Sequence, residues 1–288
     1  QIPRSRRSIT SHSHWASSRR RHYDTGARVA SPVVPAKPES SDPLGTVAAI
    51  PAVEAAAYEA RKSVDKLLMS KVLRRQSAEI SVEAGLRSAR ASAALEGVDI
   101  TLDELRNSGS TDPVIQGALR ISAELGGLRE TFIRAPRQVL ARLHVLAAAD
   151  MTTPDQLGRP RGGDDAATVT RRLGALADLL AQSSKAPAVV VAAVVHGELL
   201  ALQPFAEANG LVARGAARLV LLSRGLDPKA LTAPDVGHVE LRNEYESSAI
   251  AYAEGGRDGL SEWIVHCCRA LGLGALDSLA ICAALSRG

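Results

Sequence analysis

The stretch Gln203-Pro204-Phe205-Ala206-Glu207-Ala208-Asn209-Gly210-Leu211-Val212-Ala213-Arg214 holds the residues of this chain best suited to chemistry. An Asn-Gly pair at the start of a helix offers outward-pointing backbone N–H groups and readily adopts positive φ, which together make an anion nest. Glu207 stands beside that pair, and Mg²⁺ is held by one or two carboxylates together with phosphate oxygens. Arg214, one turn into the helix, is within reach of a terminal phosphate. Taken alone, the same pattern also fits a plain connection between two helices.

The elements that must position this loop read as helices throughout. Ala and Leu carry most of the apolar content, aromatic residues make up only 3% of the chain, and strand patterns are nearly absent, so the fold class is all-α. Helices are expected over 52–77 and 79–97, the second closed by Gly97. Thr101 and Glu104 have the spacing of a capping box. Further helices are expected over 111–128, 136–148, 168–183, 187–202, 211–224, 234–254 and 260–273. The helix over 187–202 is apolar on all sides and belongs in the middle of a bundle. Residues 152–165 contain Pro154, Gly158, Pro160, Gly162 and Gly163 and read as an irregular loop.

The loop resembles the Fic (Fido) family motif His-Pro-Phe-x-(Asp/Glu)-Gly-Asn-Gly-Arg-x-x-Arg, with Pro204, Phe205, Glu207, Asn209, Gly210 and Arg214 in register. The run Val195 to Leu202 is similar to the helix that leads into the motif. Ser92-Ala93-Ala94-Leu95-Glu96-Gly97 resembles the family's inhibitory motif, (Ser/Thr)-x-x-x-Glu-(Gly/Asn), and stands upstream as in members with an N-terminal inhibitory helix. Tyr245, Tyr252 and Ser261 to Ile264 resemble the closing helices, so the likeness spans about residues 80–270. It implies a Fic/Fido-like helical bundle: an inhibitory helix over 79–97 and a motif loop over 203–214 within a domain over 79–273; outside the likeness, the residue pattern gives an N-terminal helix over 48–78 and leaves a C-terminal segment over 274–288. It further implies transfer of AMP, or another phosphate-containing group, from a nucleotide such as ATP with Mg²⁺ to a hydroxyl of a protein target. In that scheme Glu207 holds Mg²⁺, Asn209 and Gly210 cradle phosphates, and Arg214 holds a terminal phosphate unless Glu96, with Ser92 and Gly97 around it, occupies the arginine.

Three positions depart from the motif. Gln203 stands where the base belongs, and a primary amide has no useful basicity near neutral pH. Leu211 replaces an arginine and Ala208 replaces a glycine. His196 lies about two helical turns upstream of Gln203, too far to take its place, and reads as a packing residue; His144 and His238 read as structural or surface residues. The loop Leu157 to Gly163 is short and irregular where the family has a β-hairpin flap. A Glu96–Arg214 ion pair is expected, either across a phosphate site or merely holding two helices together. The leading expectation is a catalytically impaired AMP transferase-like protein that acts through a protein partner or by nucleotide binding. Its rivals are an active divergent transferase held off by Glu96, and an accessory protein that docks its basic tail on nucleic acid or an acidic partner.

That tail is residues 1–28, with seven arginines and one acid, whereas the remainder carries 28 bases and 30 acids. The basic pI belongs to the tail, and the slightly acidic body does not suggest nucleic-acid binding. Residues 1–47 read as a disordered basic tail followed by a Pro-rich linker over 31–47. Cys267, Cys268 and Cys282 have no metal-ligand spacing and read as core residues in a reducing compartment. No uninterrupted apolar run approaches the ~18 residues of a membrane span, and a cytoplasmic protein with no membrane contact is expected.

Overall fold

The computed structural model describes residues 42–107 and 109–286, so the basic tail and most of the Pro-rich segment lie outside the described residues. The chain runs through α1 (Pro43–Ala48), α2 (Pro51–Leu68), α3 (Leu73–Leu95), α4 (Leu102–Asn107), α5 (Pro113–Arg134), α6 (Pro136–Ala148), α7 (Ala166–Ala181), α8 (Ala188–Leu202), α9 (Asn209–Ser223), α10 (Pro234–Glu240), α11 (Arg242–Glu254) and α12 (Arg257–Leu285). No strand occurs among the described residues, and the connection from α6 to α7 is a series of turns, the short irregular flap loop.

The centre is the hairpin of α8 and α9. Residues Val189 to Gly197, Leu199 and Leu202 of α8 are all buried, as its all-round apolar sequence requires. One side of α8 meets α9, and other sides meet α11 and α12. Helix α3 packs on α5, α9 and α10, which sets its C-terminal end against the start of α9. The turn from α8 to α9 is the motif loop.

Several boundaries differ from the sequence reading. The linker expected through residue 47 already turns into α1 at Pro43, whose fixed φ suits a first helical position. Leu44 is buried, and the Asp42 carboxylate accepts from Ser184 Oγ at 2.9 Å and Lys185 N at 2.8 Å, contacts that anchor this short helix. The helix expected over 52–77 breaks after Leu68. The stripe Val53, Ala57, Ala60, Val64 and Leu67 of α2 is buried, and α2 packs along α12, while α3 packs mainly on α5 and α10. One straight helix cannot serve both directions, and a further kink falls at Gln76. Helix α5 continues past the expected end at Leu128 because Phe132, 3% exposed, is pulled into the core. The expected 234–254 helix is split at Leu241 into α10 and α11.

The largest difference is α12. It passes straight through the expected boundary at 273/274, because Ala275, Ser278, Ile281 and Cys282 continue its buried stripe at helical spacing. By length and composition α12 is also apolar enough to cross a membrane, a feature that a count of uninterrupted apolar residues misses. Its Trp263, Ile264, Cys268, Leu271 and Ala275 are each no more than 1% exposed, packed in the core of the bundle.

Candidate functional site

Glu96 is placed by the way α3 ends. Gly97 takes φ +89°, its N–H reaches Ala94 O at 3.0 Å, and Val98 N reaches Ala93 O at 3.1 Å. These two bonds are a Schellman cap, which only a residue at ease with positive φ closes cheaply. Arg242 donates to Ala94 O and steadies the same end. The cap leaves Glu96 as the last residue of the turn, one turn beyond Ser92.

Arg214 projects from α9 to meet both. Its Nε donates to Ser92 Oγ at 2.7 Å, and its Nη2 donates to Ser92 O at 3.0 Å and Glu96 Oε1 at 2.7 Å. Nη1 donates to the Tyr245 hydroxyl at 3.2 Å, and Asp235 Oδ1 lies 3.5 Å from Nε. The Arg214 side chain is 3% exposed and the Glu96 side chain 26%. Burial opposes the charge on Arg214, but Tyr245, Glu96 and Asp235 outweigh it and hold its pKa above the ordinary value. Burial pushes the Tyr245 hydroxyl up to about 12, against the pull of Arg214. The guanidinium is therefore a fixed, desolvated cation held by two carboxylates, one buried and one at the rim.

The Glu96 carboxylate also lies on the first turn of α9. A Cβ at Gly210 would collide with Glu96 Oε1 and crowd Arg214 Nη1. Glycine thus leaves the space in which an anion approaches the helix start, and the anion present is Glu96 itself.

The motif loop is strained at two positions. Gln203 caps α8 with φ 45°, ψ 63°, and Ala208 precedes α9 with φ 57°, ψ 23°. Both are left-handed conformations that cost a non-glycine residue ~1–2 kcal/mol. The Asn209 side chain clasps the loop, accepting from Phe205 N at 2.9 Å and donating to Phe205 O at 2.8 Å. From the flap loop, Arg161 N donates to Pro204 O at 2.8 Å and Arg161 Nε to Gln203 O at 2.7 Å. The Gln203 and Glu207 side chains are exposed, and Glu207 makes no ion pair with another described residue. Leu211 is 2% exposed and packs in the core, so this position offers no charge to the loop.

The structure thus brings together Ser92, Glu96, Gly210 and Arg214, with Gly97 ending the helix. Asn209 is engaged with the loop backbone, and Gln203 and Glu207 face outward. Asp235 and Tyr245 complete the Arg214 shell. Nothing in the sequence marks Asp235: it reads as an ordinary acid in the first turn of a helix, and its burial comes from α10 packing on α3 and α12.

The four histidines among the described residues are core residues. His196 Nε2 meets Tyr245 Oη at 3.2 Å, and burial, aided by Arg214 and His266, drives its pKa well below the ordinary value. His144, read from sequence as a structural or surface residue, is fully buried. It stacks on Phe205 with ring centroids 4.2 Å apart and planes 5° apart, and its Nδ1 accepts from Gly158 N at 2.9 Å. Burial lowers its pKa while the Glu207 backbone pulls the other way, yet Nε2 makes no well-aligned hydrogen bond. His144 joins the flap loop to the motif loop. His238, also read as structural or surface, is buried against His266.

No protein-family model and no curated protein sequence matches this chain. Solved structures do. A Fic family protein from Desulfovibrio desulfuricans G20 superposes with a TM-score of 0.65 at 18% identity, over 80% of this chain and 75% of that one. A fragment of Fic-1 from C. elegans superposes with a TM-score of 0.60 at 19% identity, over 80% of this chain and 74% of that one. At such identities the agreement is one of backbone architecture, and it is extensive: the chain has the helical fold of a Fic domain.

Proposed function

We propose that this protein is an AMP transferase-like Fic-fold protein that binds a Mg²⁺-nucleotide at the start of α9, is held closed by Glu96, and has lost most of its transfer chemistry. The observation that carries this reading is the Glu96 carboxylate seated against Gly210 and 2.7 Å from Arg214, where a phosphate of a bound nucleotide would sit. The donor set fits such a ligand. Gly210 gives close backbone approach, Arg214 gives a preorganised cation, and the exposed Glu207 carboxylate suits Mg²⁺. A bound nucleotide would supply a phosphoryl centre for attack by a hydroxyl.

The chain's own residues are poorly equipped for that attack. Gln203 cannot take the hydroxyl proton, and loss of a positioned base typically costs ~10²–10⁴-fold. Leu211 is buried in the core and contributes no charge. What remains is a gated binding site, which suits a protein that acts on a protein partner by association rather than by rapid modification.

The test is titration of Mg²⁺-ATP into the unmodified chain and into Glu96→Gly. Glu96→Gly is expected to bind and Glu96→Gly with Arg214→Ala to lose that binding; absence of binding by Glu96→Gly at millimolar nucleotide overturns the reading. In labelling assays, Gln203→His with Leu211→Arg and Glu96→Gly is expected to exceed the unmodified chain by ~10²-fold or more. Comparable labelling by the unmodified chain overturns the impairment.

A further inference from the structure

Four of the chain's seven histidines lie among the described residues, and all four are buried. His144, on α6, stacks on the motif loop. The other three gather on the far side of Arg214 with Tyr245, Trp263 and Cys267. Burying imidazoles is costly unless their nitrogens are satisfied, and the Fic-like site uses none of these three.

We propose that His196, His238 and Cys267 form a zinc site inside the helical bundle, completed by a water molecule in the cavity beside Arg214. The three residues come from α8, α10 and α12, and their side chains are 1%, 4% and 7% exposed. One donor atom from each lies within 4.8 Å of the other two. Ligands around tetrahedral zinc sit about 3.3–3.7 Å apart, given Zn–N near 2.0–2.1 Å and Zn–S near 2.3 Å. Small side-chain rotations close the difference. His238 is delivered by a tight helix crossing: Gly237 lies against the Ala270 backbone, with no room for a Cβ.

The surroundings have the form of an outer coordination shell. His196 Nε2 meets Tyr245 Oη at 3.2 Å, and His238 Nδ1 meets His266 Nε2 at 2.9 Å. Each imidazole is thereby oriented through one nitrogen and keeps the second, as metal-bound histidines do. His266 Nδ1 is buried without a partner, so the chain of rings ends in an orphan rather than a closed network. A cavity of about 30 Å³ is lined by His196, His238 and Cys267, with Arg214, Arg218 and Asp235 also on its wall. A water needs ~10–15 Å³, so there is room for one beside an ion. The arginines oppose a cation, while Asp235 and the Cys267 thiolate formed on binding offset them; the thiol proton leaves to solvent. The two-histidine, one-cysteine set also suits copper, but copper sites of this type add an axial methionine, and neither methionine lines the cavity.

The experiment is zinc analysis by plasma mass spectrometry on the chain purified without a histidine tag, followed by cobalt substitution. Expected are close to one zinc per chain and, with cobalt, an intense visible spectrum of tetrahedral ligation together with a thiolate-to-cobalt charge-transfer band. Cys267→Ser is expected to abolish that band and His238→Ala to reduce retained zinc at least tenfold, whereas Cys282→Ser leaves both unchanged. If Cys267→Ser fails to fold, the cobalt spectrum of the unmodified chain still decides. Lack of bound zinc together with a cobalt spectrum free of thiolate charge transfer overturns the site, and so does zinc binding that survives both substitutions.

Discussion

Glu96 Oε1 lies 2.7 Å from Arg214 Nη2 across the first turn of α9, although the two residues are 118 positions apart in the chain. The contact is geometrically coupled to Gly210, whose missing Cβ leaves the space that Glu96 fills. Glu96→Gly is expected to lower thermal stability by about 1–2 kcal/mol, as the loss of a partly buried charged hydrogen bond would. Gly210→Ala is expected to be destabilising by a similar amount in the unmodified chain and nearly neutral in Glu96→Gly. Denaturant titration of the two single variants and the double variant measures that coupling, and additive effects would show that Glu96 does not sit over Gly210.

Arg214 is a different case, because its loss strands Asp235. That carboxylate is 2% exposed and keeps the Ser88 hydroxyl as its hydrogen-bond partner, with the buried Arg218 as a more distant cation, when the guanidinium is gone. Arg214→Met is expected to cost ~3–5 kcal/mol, more than Glu96→Gly, since an unpaired buried charge remains. Adding Asp235→Asn to Arg214→Met is expected to restore at least ~1 kcal/mol. Urea midpoints on the three proteins test it, and a further loss in the double variant would rule out the buried pair.

Ala208 holds φ 57°, where the left-handed backbone is strained for a residue with a Cβ. Ala208→Gly is expected to be stabilising by about 0.5 kcal/mol, because relief of that strain exceeds the extra entropy of an unfolded glycine. Ala206→Gly, at a neighbouring position without positive φ, serves as the control and is expected to be destabilising. Thermal melts distinguish the two; equal shifts would mean that the loop does not retain its left-handed turn.

His144 predicts an acid sensitivity. Its folded pKa is depressed below the ordinary histidine value by burial, so the unfolded chain takes up a proton that the folded chain refuses. Stability contributed by the neutral ring is complete above the unfolded value near pH 6.5 and falls as pH drops below it. Denaturant unfolding of the unmodified chain and of His144→Gln between about pH 7.5 and about pH 5.5 tests the point. The variant is expected to lose less stability over that interval, and parallel losses would exclude His144 as a contributor.

Much of the fold was legible in the residues. Pro136 and Ala148 bound α6 as expected, and the Thr101–Glu104 capping box forms with reciprocal bonds of 3.1 and 3.0 Å. Such signals are local, since proline geometry and side-chain caps act within one turn. Boundaries that depend on distant packing were not legible. The break after Leu68, the run of α5 to Phe132 and the extension of α12 past residue 273 follow from which neighbour each apolar stripe meets.

By itself, the sequence determined an all-α fold, the glycine that closes α3 at Gly97, and an amide rather than an imidazole at Gln203, because these depend on residue type and near neighbours. The tertiary structure alone decided that Leu211 turns into the core, that Asp235 and Tyr245 close around Arg214, and that three histidines and Cys267 meet behind it. Those relationships arise where α3, α8, α9, α10, α11 and α12 converge, and burial at such a junction has no signature in any short stretch of sequence.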